Sequence, residues 1–231
     1  MISEERRGIG TLQETSLHAA LITWYTQPGD DLEVPVEGFI VDIVRGEQLV
    51  EIQTRNFVSL KDKVSRLLEN HPVRLVYPVP QEKWIIRLAG DGQTRLSRRK
   101  SPQRGRVENL FTELVRLAPL LTHPHLSIEV LLIGEEEIWL NDGRGSRRRR
   151  GWSISNRRLL GVISSRVLAS AADYRAFLPP DLPQPFTRRE GSHALNLSPS
   201  LTGKMLYCLR AMGMLRVVGK QGRARLYLLE M

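Results

Sequence analysis

Residues 38–56 read GFIVDIVRGEQLVEIQTRN, and the fold turns on how they pair. Residues 39–45 are apolar and β-branched apart from Asp42 and Arg45, and 49–53 form a second short extended run carrying Glu51 and Gln53. Between them Gly46-Glu47 fits a two-residue hairpin turn with glycine first. That turn sets Arg45 against Gln48, Val44 against Leu49 and Asp42 against Glu51. Side chains alternate along a strand, so Glu51 and Gln53 share one face. Two carboxylates directly opposite each other weaken a sheet. A divalent cation held by oxygen ligands is the natural offset.

Asp42, then Glu51-Ile52-Gln53 after a short hairpin, resembles the PD-(D/E)xK nuclease superfamily, with Gln53 in the usual lysine position and Val41 where proline is nominal. A helix before the hairpin and a helix and strand after it match that superfamily's order of elements. The resemblance covers roughly the first third of the chain. It implies an α/β protein with an αβββαβ restriction-endonuclease-like core and a mixed sheet. It also implies Mg²⁺ (or Mn²⁺) held by Asp42, Glu51 and the carbonyl of Ile52, with Glu14 on the first helix facing the same site. Glutamine can only hydrogen-bond where lysine would help orient the water and stabilise charge. Some members with Glu-x-Gln are active and others with altered motifs only bind. Two readings follow: a metal-dependent DNA endonuclease, or a catalytically silent nuclease-like DNA-binding regulator or architectural protein. A protein-interaction scaffold is a third. Many nucleases of this fold act as homodimers.

The charge balance fits an anionic partner. Among 231 residues, 34 Lys and Arg stand against 25 Asp and Glu, a formal net charge of +9. This points to nucleic acid, DNA first, ahead of a membrane surface. No run approaches the roughly 20 apolar residues of a membrane span. The opening MISEERRGIG lacks the apolar centre of a signal peptide. Cys208 is alone, so no intramolecular disulfide forms. A cytoplasmic protein is expected.

Along the chain, residues 1–80 make the nuclease-like core. Leu12, Leu17, Ala20, Leu21 and Trp24 fall near helical spacing over 11–25. Thr11 and Glu14 can form a capping box, so Glu14 reads equally as a cap or a site residue. His18, one turn on, can face the same cleft. Residues 31–36 read as a strand that Pro35 places at an edge. A helix over 57–69, opened by Asn56, and a strand over 73–79 imply a parallel crossover. Residues 81–178 read as an α+β extension. It has a hairpin of 83–88 with 93–98, an irregular basic run to Arg106, and an amphipathic helix over 107–117. A strand over 127–133 returns after Gly134, with Glu135-Glu136-Glu137 in a solvated turn. His123-Pro124-His125 lacks further residues to complete a metal site. A loop over 141–151 carries Arg147, Arg148, Arg149 and Arg150 within reach of phosphates.

Prolines 179, 180, 183 and 185 stiffen a linker over 179–186. Beyond it, Thr187 and Glu190 form a capping box for a short helix. Ser198 caps, and Pro199 opens, a second helix to Met212. Residues 215–218 and 224–229 read as two strands around a basic turn. Helix, turn, helix and basic hairpin resemble a winged helix-turn-helix domain over 187–231. That resemblance implies Ser200, Thr202 and Lys204 at base edges, Arg210 on the backbone, and Lys220, Arg223 and Arg225 on a wing that meets phosphates. The whole pattern also resembles an uncharacterised bacterial protein family, which implies no biochemical role.

Overall fold

The computed structural model describes residues 16–230. Glu14 and the Thr11 cap lie outside the described residues. In order, the chain forms α1 (Ser16–Tyr25), β1 (Asp31–Val36), β2 (Phe39–Arg45), β3 (Gln48–Ile52), α2 (Leu60–Leu67), β4 (Val73–Leu88), β5 (Arg95–Lys100), α3 (Phe111–Leu114), β6 (Leu126–Leu140), β7 (Ser153–Leu168) and α4 (Ala171–Arg175). A C-terminal unit follows: β8 (Phe186–Thr187), α5 (Arg188–Leu195), α6 (Pro199–Ala211), β9 (Leu215–Gln221) and β10 (Ala224–Leu229). The protein is α/β, with a mixed seven-stranded sheet ordered β1-β2-β3-β4-β6-β7, β5 pairing with β4, and a small second sheet ordered β8-β10-β9.

The central hairpin has the expected register, Arg45 opposite Gln48 and Val44 opposite Leu49. Gly46 takes φ +58°, which glycine adopts without steric cost. β3 and β4 then pair in parallel through the α2 crossover. Phe57, Leu60, Val64, Leu67 and Leu68 are all buried, as their spacing requires. The helix itself begins later than expected, because Asn56 spends its side-chain oxygen on the Val58 N–H and Ser59 stands at the N-cap.

Several expectations fail. β4 does not stop at residue 79 but continues to Leu88, through Pro78 and Pro80. Val76 accepts the Gln53 N–H from the β3 side. Pro78 and Pro80 share its parity, so their missing N–H groups fall where β3 has already ended. β6 likewise runs straight through Gly134 instead of turning back. Glu135, Glu136 and Glu137 are therefore not in a solvated turn: they are 2%, 7% and 4% exposed, in mid-strand. The basic run is not irregular at its start, since Arg98, Arg99 and Lys100 pair along β4. The 107–117 helix shrinks to a 3₁₀ turn and α3, although Leu110, Phe111, Leu114 and Leu117 are all buried. Residues 153–168, for which the sequence sets no element, form the antiparallel edge strand β7.

Two apolar cores flank the sheet. Leu17, Leu21 and Tyr25 of α1 pack with Ile43, Val50, Ile52 and Val76. The other core joins α2 and α3 to Leu195, Met205, Leu206 and Leu209 of the C-terminal unit. Leu182 and Phe186 are buried in that same core, so the proline-rich spacer is packed against the protein. Arg106 donates to the carbonyls of Leu195 and Asn196, tying the unit to the chain before α3. Among the described residues, no helix is long and apolar enough to cross a membrane.

Candidate functional site

The hairpin, α1 and α2 bring four ionisable side chains together. Val41 and Ile43, two residues apart on β2, enter opposite cores, so the usual alternation breaks at Asp42. Across from Asp42 on β1, Glu33 holds a left-handed φ of +51°. The β2–β3 ladder ends at Ile43–Val50, one residue short of the expected Asp42–Glu51 pair. Asp42 fills that gap with its side chain: Oδ2 accepts the Ile52 N–H at 2.7 Å. The same oxygen faces His18 Nε2 at 3.3 Å. A histidine on α1 thus reaches the carboxylate of β2.

Glu51 is 8% exposed. Burial, and next the negative charge of Asp42, push its carboxyl up to about 7 against the opposing pull of Lys63. Both carboxylate oxygens lie 2.6 Å from Lys63 Nζ, but only Oε1 meets it with hydrogen-bonding geometry. Glu51 Oε2 is a buried acceptor with no hydrogen-bond partner. Lys63 also donates to the Ile40 carbonyl at 2.6 Å, which fixes the ammonium between β2 and β3.

Gln53 does not join this group. It follows the end of β3, and its amide nitrogen donates to the Asn56 carbonyl at 2.8 Å. The cation beside Glu51 comes from α2. Lys63 stands three residues after Leu60 and one before Val64, on the flank of the buried stripe, and that spacing is the signal that could have found it.

Asp42 and Glu51 suit a hard cation such as Mg²⁺, which is often bound by one or two carboxylates while it keeps several waters. Glu51 Oε2 lies against Lys63 but makes no hydrogen bond, and both contacts of Asp42 use Oδ2, which leaves Oδ1 open to a ligand. No group of three or more His, Cys, Asp or Glu side chains is gathered as a metal site among the described residues. The remaining ligands would therefore come from backbone oxygen and water. Beside the end of β3 lies a hollow of about 350 Å³ lined by Thr54, Arg55, Asn56, Ile154 and Arg157.

The arginine run behaves as a loop between β6 and β7. Arg147–Arg149 form one 3₁₀ turn, Arg150 is left-handed at φ +52°, and Arg149 donates to the Trp152 carbonyl. In the C-terminal unit both helices carry their expected caps. Thr187 and Glu190 bond reciprocally, and the Ser198 hydroxyl accepts the Leu201 N–H. Ser200, Arg210, Lys220, Arg223 and Arg225 are exposed and Lys204 is half-buried. Thr202 must be struck from the surface contacts. It is fully buried, and its hydroxyl donates back to the Ser198 carbonyl in the manner of a helical threonine.

Residues 15–169 match the family described as Domain of unknown function (DUF8091). An uncharacterized protein of Treponema pallidum (strain Nichols) is 34% identical over 226 residues, which cover 95% of this chain and 86% of that protein. No solved structure matches the chain. The matched family span begins at the α1 end and closes after β7, so it holds the whole seven-stranded sheet and the carboxylate site within it, and the chain belongs to the DUF8091 family.

Proposed function

We propose that this protein is a metal-dependent nuclease of the PD-(D/E)xK type whose lysine has moved from the β3 strand to α2. The observation that carries the reading is the convergence of Asp42, Glu51 and Lys63 from three different elements, with one Glu51 oxygen left without a hydrogen bond. The αβββαβ order, the two-residue hairpin and the parallel β3–β4 crossover support the same fold. When bound, Mg²⁺ or Mn²⁺ would activate a water and neutralise charge on the phosphate. Asp42, anchored by the Ile52 N–H, and Glu51 would hold the cation. Lys63 favours the ionised form of Glu51 against the pull of burial and would supply an ammonium beside the phosphate. His18 orients Asp42 through Oδ2. The C-terminal unit, read as a winged helix-turn-helix, binds the nucleic acid; its order of strand, two capped helices and antiparallel hairpin supports that reading.

A second reading rests on the same lysine. An ammonium 2.6 Å from Glu51 already offsets part of the cost of burying its charge, as a silent, binding-only descendant of a nuclease would need. Incubation of supercoiled plasmid and single-stranded DNA with Mg²⁺ or Mn²⁺, beside chelator controls, separates the two. The nuclease reading expects metal-dependent cleavage that falls at least ~100-fold in Asp42→Ala and in Lys63→Ala, while Gln53→Ala stays within a few-fold. Salt-sensitive DNA binding with no cleavage by the wild type would favour the silent reading.

A further inference from the structure

One face of the C-terminal unit holds a hollow of about 590 Å³ whose walls carry Arg116, Arg188, Lys204, Arg210 and Arg225 and no carboxylate. None of these five cations makes an ion pair among the described residues. Elsewhere in the protein Arg45, Lys63, Arg74, Lys83, Arg98 and Arg106 all face acids. The floor of the hollow is the outer face of α6, where Gly203 leaves room for Arg188. A Cβ at that glycine would sit 3.3 Å from the arginine's Cδ. Tyr207 stands 51% exposed on the same face, and the ring of Tyr227 is backed by Phe186 at 6.0 Å. A second hollow of about 490 Å³ shares Arg188, Arg225 and Tyr227 with the first and adds Arg189 and Arg223. The two make one cationic track with aromatic rings along it.

We infer that this track binds single-stranded nucleic acid, its phosphates on the arginines and an unstacked base on Tyr207. A helix that reads duplex DNA must project into a major groove about 12 Å wide. Here the exposed face of α6 shares its hollow with Arg116, which follows α3, and with Arg225 and Tyr227 of β10. Side chains from neighbouring elements beside the helix face favour a flexible single strand over a rigid duplex. Cations with interleaved aromatic faces are what such strands require, since phosphates meet charge and every base has a face to stack. The inference rests on the nucleic-acid part of the proposed function and is independent of hydrolysis.

The test is fluorescence anisotropy of the full-length protein, in chelator, with a labelled 12-nucleotide oligo-dT and a 12-base-pair duplex. The single strand should bind at least about tenfold more tightly. Arg188→Ala with Arg225→Ala should weaken it at least tenfold and reduce the slope of log affinity against log salt by about 1.4, or 0.7 per lost phosphate contact. Tyr207→Ala should weaken the single strand at least about fivefold and leave duplex binding unchanged. Loss of Arg95 and Arg99, exposed on β5, should leave single-strand affinity within twofold. Equal or tighter duplex binding overturns the inference, as does a groove double variant that binds like wild type or a β5 variant that weakens equally. Failure of the nuclease reading shows up separately, as a wild-type protein that binds the strand and cleaves nothing with metal present.

Discussion

In the seven-stranded sheet, five glutamates (Glu51, Glu129, Glu135, Glu136 and Glu137) are more than nine-tenths buried and each faces a cation, whereas in the C-terminal hollow five cations face no acid among the described residues. The two regions use charge for different ends. A carboxylate taken out of water must be paired, because its desolvation cost is otherwise several kcal/mol. An exposed guanidinium carries no such requirement and waits for an anion. Within the sheet the pairing is graded. Glu137 accepts from Lys83 at 2.8 Å and from the Trp139 indole at 3.0 Å. Burial would raise its carboxyl, but these partners outweigh burial and hold it below the usual range. Glu135 shares the same Lys83 at 3.1 Å, yet burial dominates and its carboxyl is raised.

The sharpest way to break the contrast is to remove a sheet cation. Lys83→Met leaves Glu135 and Glu137 buried with Arg157, 3.8 Å from Glu137, as the nearest remaining cation and the Trp139 indole as the remaining donor to Glu137. Denaturant unfolding at pH 7.5 should show a loss of about 3–5 kcal/mol. Adding Glu135→Gln to that variant should restore part of it, since an amide does not ionise. A loss under ~1 kcal/mol would mean that the sheet charges are no more demanding than surface ones.

A smaller effect of opposite sign is expected at the candidate site. The folded-state value of Glu51, about 7, lies above its ordinary 4.5, so the folded protein binds this proton more tightly than the unfolded chain. Stability linked to Glu51 is then full below pH ~4.5 and is lost as pH rises through 7. The shift corresponds to roughly 3 kcal/mol as an upper bound. Glu51→Gln should therefore raise stability at pH 8 by about 1–2 kcal/mol, after the lost Lys63 contact is counted, and should change little at pH 4.5. A variant less stable than wild type at pH 8 would show that the Lys63 pair outweighs the burial of the acid. A gain would fit an acid kept for chemistry at the expense of the fold.

How much of this could be read beforehand depended on whether the signal was local. Turn chemistry and caps are local. Gly46-Glu47 fixed the hairpin register, and Thr187, Glu190 and Ser198 fixed the starts of both C-terminal helices. The acids Asp42 and Glu51 were visible as an oddity in a β-branched hairpin. The 15- and 16-residue strands were hidden, because Pro78, Pro80 and Gly134 punctuate a sequence unless one knows which strand edge is open. The buried glutamates were hidden for a related reason. A run of three acids reads as solvated until cations from β4, β5 and β7 are known to lie alongside. Lys63 went unseen because an amphipathic helix is read by its apolar stripe, and the lysine sits on the margin of that stripe.

The least effect on stability should come from the groove, and that near-zero is itself informative. Arg188 and Arg225 are exposed, and neither has an ion pair among the described residues. Arg188 also opens α5, where the helix dipole disfavours a positive charge. Replacing both with alanine removes like-charge repulsion across the hollow and an unfavourable terminus. Unfolding at 150 mM salt should change by less than about 0.5 kcal/mol, with any gain growing as salt is lowered and screening weakens. The same double substitution that weakens oligonucleotide binding at least tenfold would then leave the fold untouched or slightly firmer. A loss above ~1 kcal/mol would instead assign these arginines to holding the C-terminal unit together, and the unpaired charge in the hollow would need a structural explanation in place of a binding one.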